Sequence, residues 1–243
     1  MIKYSLVIPF FNEEKNIKQV LLHLSQVDKK IKDIEFILIN NGSTDNSKEV
    51  FKKNLKNLNK KTYKLFIIKK NLGYGHGIKY GLNKSKGSFL SWTHSDLQTN
   101  PQDIIKAIKL LKKNKNKNEI LIKGTRTKRE SGSTFQTKAM EFISSIFLGI
   151  IIKDINAQPN LISKKFYTKY IKNLAPDDLS FDLYCYALAA YKKINILKFK
   201  VLFKKRLYGD VKGGGEGGSI FAKIKLIIVT IKCLLSLRFK TFS

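Results

Sequence analysis

"YSLVIPFFNEEKNIKQVLLHL", residues 4–24, carries two hydrophobic periods back to back. Its first seven residues form a short apolar run ended near Pro9, the pattern of a buried strand. From Asn12 onward Ile17, Val20, Leu21 and Leu24 recur at helical spacing. The chain then repeats this strand-to-helix step. "IEFILIN" (34–40) passes through the turn residues "NGSTDNS" (41–47) into Val50, Phe51, Leu55 and Leu58, again at helical spacing. "YKLFIIK" (63–69) passes through a Gly-rich loop, "NLGYGHG" (71–77), into a helix that reaches Leu82, and "SFLSWT" (88–93) reads as a fourth strand. Strands alternating with amphipathic helices predict an α/β fold with right-handed crossovers and a mostly parallel sheet. Ligands of such sheets bind beyond the carboxyl ends of the strands, so the loops opening at Pro9, Asn40, Asn71 and His94 should share one cleft.

Beyond residue 102 the rhythm loosens. A helix over 103–113 leads into the polar run "KKNKNKN", and "EILIKGTR" (119–126) returns as a strand. "FQTKAMEFISSIFLGIII" (135–152) reads as an apolar helix too short and too closely flanked by charge to span a membrane. A strand in "NAQPNLISKKFY", a helix in "FDLYCYALAAYKK" and a last strand in "NILKFKVLFKKR" follow. The carboxyl end, "GGGEGGSIFAKIKLIIVTIKCLLSLRFK", reads as a flexible hinge at 213–218 before an apolar helix at 219–240 broken by Lys223, Lys225 and Lys232. Those lysines argue against a membrane span. An apolar stripe beside lysines suits a helix lying on an anionic membrane surface, and a helix packed on the domain or on a partner subunit of a homo-oligomer is the alternative.

With 243 residues and 43% hydrophobic content the chain can bury one full α/β core. Its net charge of +29 would ordinarily point to nucleic acid. Arginine, however, occurs only at Arg126, Arg129, Arg206 and Arg238, and no basic motif is interleaved with aromatics, so a solvated lysine surface is the better reading and no nucleic-acid partner is expected. Two cysteines, Cys185 and Cys233, make no disulfide framework. The amino terminus shows no signal-peptide pattern. The expected location is therefore the cytoplasm, peripheral at the inner face of the membrane.

The loop residues define the chemistry. Pro9, Asn12 and Glu13 follow the first strand, Asn40, Asn41 and Asp45 the second, and Gly73, Gly75 and Gly77 the third. The spacing is neither that of a P-loop nor that of a dinucleotide fingerprint. Past the fourth strand, "THSDLQTNP" (93–101) sets His94, Asp96 and Gln98 at alternate positions around Ser95. Imidazole, carboxylate and amide can all ligate a divalent metal, and a histidine favours Mn²⁺ over Mg²⁺. A strand-end histidine bonded locally is the alternative.

In these segments the sequence resembles the family-2 glycosyltransferases of the GT-A fold, in the branch of dolichyl-phosphate mannosyltransferase and bacterial polyprenyl-phosphate glycosyltransferases. "VIPFFNEEKNI", "INNGSTDNS", "NLGYGHGIKYGL" and "THSDLQTNP" are similar to that family's successive motifs, as are "KGTR" (123–126), "DINAQPNLISKKFY" (154–167) and "RLYGDVK" (206–212). The resemblance implies a single Rossmann-like domain over 1–212, with a nucleotide-sugar half (1–118) and an acceptor-side half (119–212), followed by the hinge and helix of 213–243. It further implies inverting transfer from a nucleoside diphosphate sugar to a polyprenyl phosphate or membrane-linked glycan, with a divalent metal, Mn²⁺ or Mg²⁺, at the diphosphate. Transfer to a soluble polysaccharide or small acceptor, and noncatalytic binding of a nucleotide sugar, are the alternatives. Asn40 stands where the family has a base-contacting Asp, and His94 where it has the first Asp of its metal motif. Arg126, Arg129, Arg206 and Lys212 stand at landmarks where cations could hold phosphates. Asp182 or Asp154 is the candidate general base if the acceptor is a hydroxyl, although Asp182 could equally be a helix-start carboxylate.

Overall fold

The computed structural model describes residues 1–129, 135–149, 151–209 and 220–241. β1 (Tyr4–Phe10), β2 (Ile34–Asn41), β3 (Tyr63–Ile68) and β4 (Phe89–Trp92) coincide with the four expected strands to within a residue or two at each end. With β5 (Ile120–Arg129), β6 (Asn160–Ser163) and β7 (Asn195–Phe203) they form a seven-stranded sheet in the order 3-2-1-4-6-5-7. β1, β2, β3 and β4 pair in parallel, with Tyr4 opposite both Ile34 and Phe89. β6 runs antiparallel to β4 and β5, while β5 and β7 are parallel. Pro9 lies past Val7 and Trp92, the last pair joining β1 to β4, where its missing N–H interrupts no ladder on that side.

The two-residue period of the strands divides the interior. Leu6, Ile8, Phe36 and Leu38 face one core, packed by Ile17, Val20 and Leu24 of α1 (Glu14–Lys30), Phe51 of α2 (Ser47–Leu55) and Ile104 and Ile108 of α4 (Ile104–Lys113). Val7, Ile37 and Ile39 face the other, packed by Ile78 and Leu82 of α3 (Tyr74–Lys84) and by α7 (Phe181–Tyr191). β2 is buried along its whole length, which explains its unbroken apolar run and isolates Glu35. That carboxylate is 0% exposed and accepts from Ser5 Oγ at 2.7 Å, Lys64 Nζ at 2.5 Å and Lys86 N at 2.5 Å. Burial pushes its pKa up, but these donors outweigh burial and leave it below the ordinary value.

α5 (Phe135–Leu148), the one-turn α6 (Lys164–Phe166) and α8 (Ile220–Thr241) complete the chain. α8 packs beside α5 and α7. It buries Leu226, Cys233, Leu234 and Leu237, so one face of the carboxyl-terminal helix rests on the domain. Its other face leaves Ile220, Phe221, Ile224 and Ile228 exposed, and α5 leaves Phe142 and Ile146 exposed. Among the described residues no helix is long and apolar enough to cross a membrane. Both cysteines are buried free thiols, and burial pushes Cys233 up to about 12. The Gly-rich hinge at 213–218 and Lys212 lie outside the described residues.

Candidate functional site

The loops after β1 and β2 are stitched together. Asn12, in the left-handed region at φ 53°, donates its N–H to Ser43 Oγ at 3.0 Å and its Nδ2 to Thr44 Oγ1 at 3.1 Å, while its Oδ1 accepts from Thr44 N at 2.8 Å. Asp45 accepts from Glu14 N with one oxygen and from Ser47 N with the other, at 3.1 and 3.0 Å, fixing the starts of α1 and α2 at once. Asn40, 2% exposed, accepts from Ser43 N at 3.0 Å and so closes its own turn. Asn41 donates to the Gly73 carbonyl at 3.0 Å, joining the third loop to the second.

That third loop is shorter than the glycines imply, because α3 begins at Tyr74 and takes in Gly75 and Gly77. Gly73 has φ 131°, and a Cβ there would sit 2.2 Å from the Asp177 carbonyl oxygen. One on Gly75 would meet the Pro176 carbonyl oxygen at 2.4 Å, and one on Gly77 the Asn41 amide nitrogen at 2.8 Å. The Gly75 and His76 N–H groups donate to Asp178 O and Asp177 O at 3.2 and 2.9 Å, which satisfies donors a helix start would otherwise leave open. The empty Cβ positions of these three glycines thus face protein, and the glycines serve close packing of α3 on segment 176–178 and on β2.

The charged centre lies at the ends of β1 and β4. Glu13, 8% exposed, accepts from Asn16 Nδ2 at 2.6 Å and from Arg206 Nη2. Arg206 also places Nη1 3.7 Å from Asp96 Oδ2, bringing the segment after β7 onto the first and fourth loops. Ser95 Oγ donates to the Pro9 carbonyl at 2.9 Å. Leu97 takes φ 61°, and Asp96 Oδ1 accepts from Gln98 N at 3.0 Å across that tight turn. Gln98 turns its amide nitrogen to the Lys204 carbonyl at 3.3 Å. His94 is half-buried, and its ring forms no hydrogen bond among the described residues. It stacks on Tyr74, with centroids 5.4 Å apart and planes 24° from parallel.

Asp182 lies behind this stack, 3% exposed. Its Oδ1 accepts from Trp92 Nε1 at 2.7 Å and Asn160 Nδ2 at 3.1 Å; its Oδ2 accepts from Tyr74 Oη at 2.9 Å and Gln158 Nε2 at 3.0 Å. Four donors fill the roughly four acceptor sites of a carboxylate. The residue read as a candidate base therefore has no lone pair turned to a substrate, and its place is that of a buried anchor. Burial, followed by the Asp182 charge and the hydrogen bond to it, pushes the Tyr74 phenol well up. Beneath lies Lys123, 1% exposed, donating to the Asp154 carbonyl at 2.5 Å with its ammonium 4.8 Å from the Tyr186 ring centroid. Burial lowers its pKa to about 7 despite the opposing pull of Asp182 and Asp154.

Of the acceptor-side candidates, Asp154 (φ 53°) donates its N–H to Glu141 Oε1 at 2.8 Å. Arg126 donates to the Asn156 carbonyl at 3.0 Å and lies 4.1 Å from the Phe203 ring centroid. Arg129 ends β5, past an irregularity between Arg126 and Lys128. Sequence reasoning missed Tyr74, Trp92, Lys123, Gln158 and Asn160. Two of them carried a signal: Trp92 is the only tryptophan, and Lys123 is a lone charge at the end of the apolar run "ILIKGT" (120–125).

The sheet order, with Glu13 and Asp96 gathered at its carboxyl edge, defines a GT-A-type α/β protein. The sequence matches the model of "Glycosyl transferase family 2" over residues 5–194, and the chain belongs to that family. It is 27% identical over 145 residues to the undecaprenyl-phosphate 4-deoxy-4-formamido-L-arabinose transferase of Proteus mirabilis, covering 59% of this chain and 43% of that protein. To the uncharacterized glycosyltransferase YkcC of Bacillus subtilis it is 31% identical over 143 residues, covering 57% and 42%. The chain thus matches less than half the length of these relatives. Two solved structures share the fold. The mannosyltransferase PcManGT of Pyrobaculum calidifontis, in complex with GDP-Man and Mn²⁺, superposes at TM-score 0.62 with 13% identity over 85% of this chain and 57% of its own. The glucosyl-3-phosphoglycerate synthase of Mycobacterium tuberculosis, with Mn²⁺, UDP and glucosyl-3-phosphoglycerate, superposes at 0.66 with 15% identity over 96% and 80%.

Proposed function

We propose that this chain is the catalytic domain of an inverting glycosyltransferase that moves a sugar from a nucleoside diphosphate sugar to a polyprenyl phosphate. The observation that carries this is the cluster of Glu13, Asp96 and Arg206 at the ends of β1 and β4, in a chain that belongs to glycosyl transferase family 2. The acceptor oxygen attacks the anomeric carbon from the face opposite the diphosphate. The bond from that carbon to the leaving oxygen breaks, and its electron pair departs with the diphosphate. A phosphate acceptor is already an oxyanion and needs no general base, which agrees with the filled acceptor sites of Asp182.

His94 and Asp96 would hold a divalent metal. Among the described residues no three His, Cys, Asp or Glu side chains gather as a metal site; an imidazole and a carboxylate supply two ligands, and the diphosphate of the donor would supply the others. Such a metal supplies Lewis-acid stabilisation of charge on the leaving diphosphate. Arg206 would transfer its contacts from Glu13 and Asp96 to a phosphate oxygen. The exposed apolar residues of α5 and α8, with exposed Lys225 and Lys232, suit an anionic lipid surface, which brings the domain to a lipid-linked acceptor.

The test has two arms. Thermal-shift measurements with UDP, GDP and other nucleoside diphosphates, each with Mn²⁺, should show stabilisation by at least one nucleotide only when metal is present. With the matching nucleotide sugar, polyprenyl phosphate should then be glycosylated in detergent. Metal-dependent nucleotide binding with transfer only to a soluble glycan would replace the acceptor, and no nucleotide binding would overturn the reading.

A further inference from the structure

One side chain joins the buried Asp182 to the His94 ring. Tyr74, the first residue of α3, donates its phenol to Asp182 Oδ2 at 2.9 Å and lays its ring on the imidazole at 5.4 Å and 24°. This is an offset-stacked aromatic pair at ordinary separation. Asp182 is itself immobilised by Trp92, Asn160 and Gln158. The backbone at Tyr74 is fixed as well, since the flanking Gly73 and Gly75 pack against segment 176–178 with no room for a Cβ. A metal-ligating histidine is usually aimed by the hydrogen bond its second nitrogen makes to a carboxylate, carbonyl or water. His94 has no such bond among the described residues, and its ring lies stacked on that of Tyr74.

We propose that Tyr74, tethered by Asp182, is a positioning residue that orients the His94 imidazole toward the metal and diphosphate. This rests on the donor-site reading above and gives Asp182 a task other than proton transfer. It also accounts for one departure from the family pattern: where a carboxylate would be aimed by its own short stem, the imidazole of His94 needs a surface to lie against.

The experiment uses the full chain and has two readouts. Mn²⁺ affinity is measured by electron paramagnetic resonance with saturating UDP or GDP for wild type, Tyr74→Leu, Tyr74→Phe, His94→Ala and the double variant Tyr74→Leu/His94→Ala. Imidazole NMR spectra are recorded on the metal-free proteins; with three histidines in the chain, His94→Ala assigns the signal. Tyr74→Leu should weaken Mn²⁺ about tenfold, the lower end for loss of an outer partner of a metal-bound histidine. It should add no further loss in the His94→Ala background, and should move the His94 ring protons downfield as the stacked ring is removed. Tyr74→Phe, which keeps the ring and loses the tether, should fall between wild type and Tyr74→Leu and guards against simple failure to fold. Equal Mn²⁺ losses from Tyr74→Leu with and without His94, or ring signals that stay in place, would overturn the proposal. Were wild type to bind no Mn²⁺ with either nucleotide, the metal role would fall with the donor reading, and the ring spectra would still decide whether Tyr74 sets His94.

Discussion

Replacing Gly75 by alanine tests whether the glycines of the third loop serve a ligand or the fold. The added methyl carbon would stand 2.4 Å from the Pro176 carbonyl oxygen and 3.0 Å from both Asp177 C and Asp178 O. All three are backbone atoms and cannot rotate away. Overpacking of this kind costs about 1–3 kcal/mol. Moving α3 off segment 176–178 also strains the bonds from Gly75 N to Asp178 O and from His76 N to Asp177 O, each worth about 0.5–1.5 kcal/mol. Alanine returns about 0.8–1 kcal/mol in helix propensity. The net loss is about 3 kcal/mol, which for a chain of this size lowers Tm by roughly 6–12 °C. Thermal and urea unfolding of Gly75→Ala should show it. Gly149→Ala is the control: Gly149 has φ +65° with nothing within 4 Å of its Cβ position, so only left-handed strain of about 1–2 kcal/mol applies. If Gly75→Ala melts within about 2 °C of wild type yet loses nucleotide binding, the packing argument is wrong and the glycine faces a ligand.

Asp96→Asn should abolish metal-dependent transfer, whereas His94→Asp should keep it and shift the preference from Mn²⁺ toward Mg²⁺; chelator-resistant turnover by Asp96→Asn would contradict the metal assignment. Glu35→Gln should cost about 3–5 kcal/mol at pH 7, the usual penalty for breaking a buried ion pair. Because the folded pKa of Glu35 is depressed, its contribution is present above the unfolded value and lost as pH falls through the folded one, so the variant should show a shallower acid transition in urea midpoints. Lys123, at about 7 in the fold against about 10.4 in the unfolded chain, has the opposite sign. Burying its charge opposes folding most below pH 7, and the penalty is relieved as pH rises toward 10. Lys123→Met should therefore flatten the rise in stability between pH 7 and 9, and an unchanged slope would show that the lysine is not the group responsible.

The amino-terminal half was legible because its signals are periodic and long. β2 is apolar at five of its first six positions and α1 repeats its apolar stripe over several turns, so each pattern is read without its partners. The direction of β6 was not, since four residues name a strand without saying which way it runs. The cleft itself followed from four successive loops at strand ends. The role of Asp182 did not follow, because a carboxylate in the first turn of a helix reads the same exposed or buried. Its donors come from positions 74, 92, 158 and 160, which only the folded sheet brings together. Gly75 and Gly77 are ambiguous for a related reason: glycine marks close approach, but the sequence does not say whether a ligand or another part of the chain approaches.

Arg206, held between Glu13 and Asp96, ties the segment after β7 to the loops after β1 and β4. The guanidinium and the two carboxylates answer one another inside the domain, on a protein whose total charge is +29. Under the proposed donor chemistry, a diphosphate arriving with a divalent cation would meet the carboxylates with its metal and the guanidinium with its oxygens, exchanging one set of ion pairs for another.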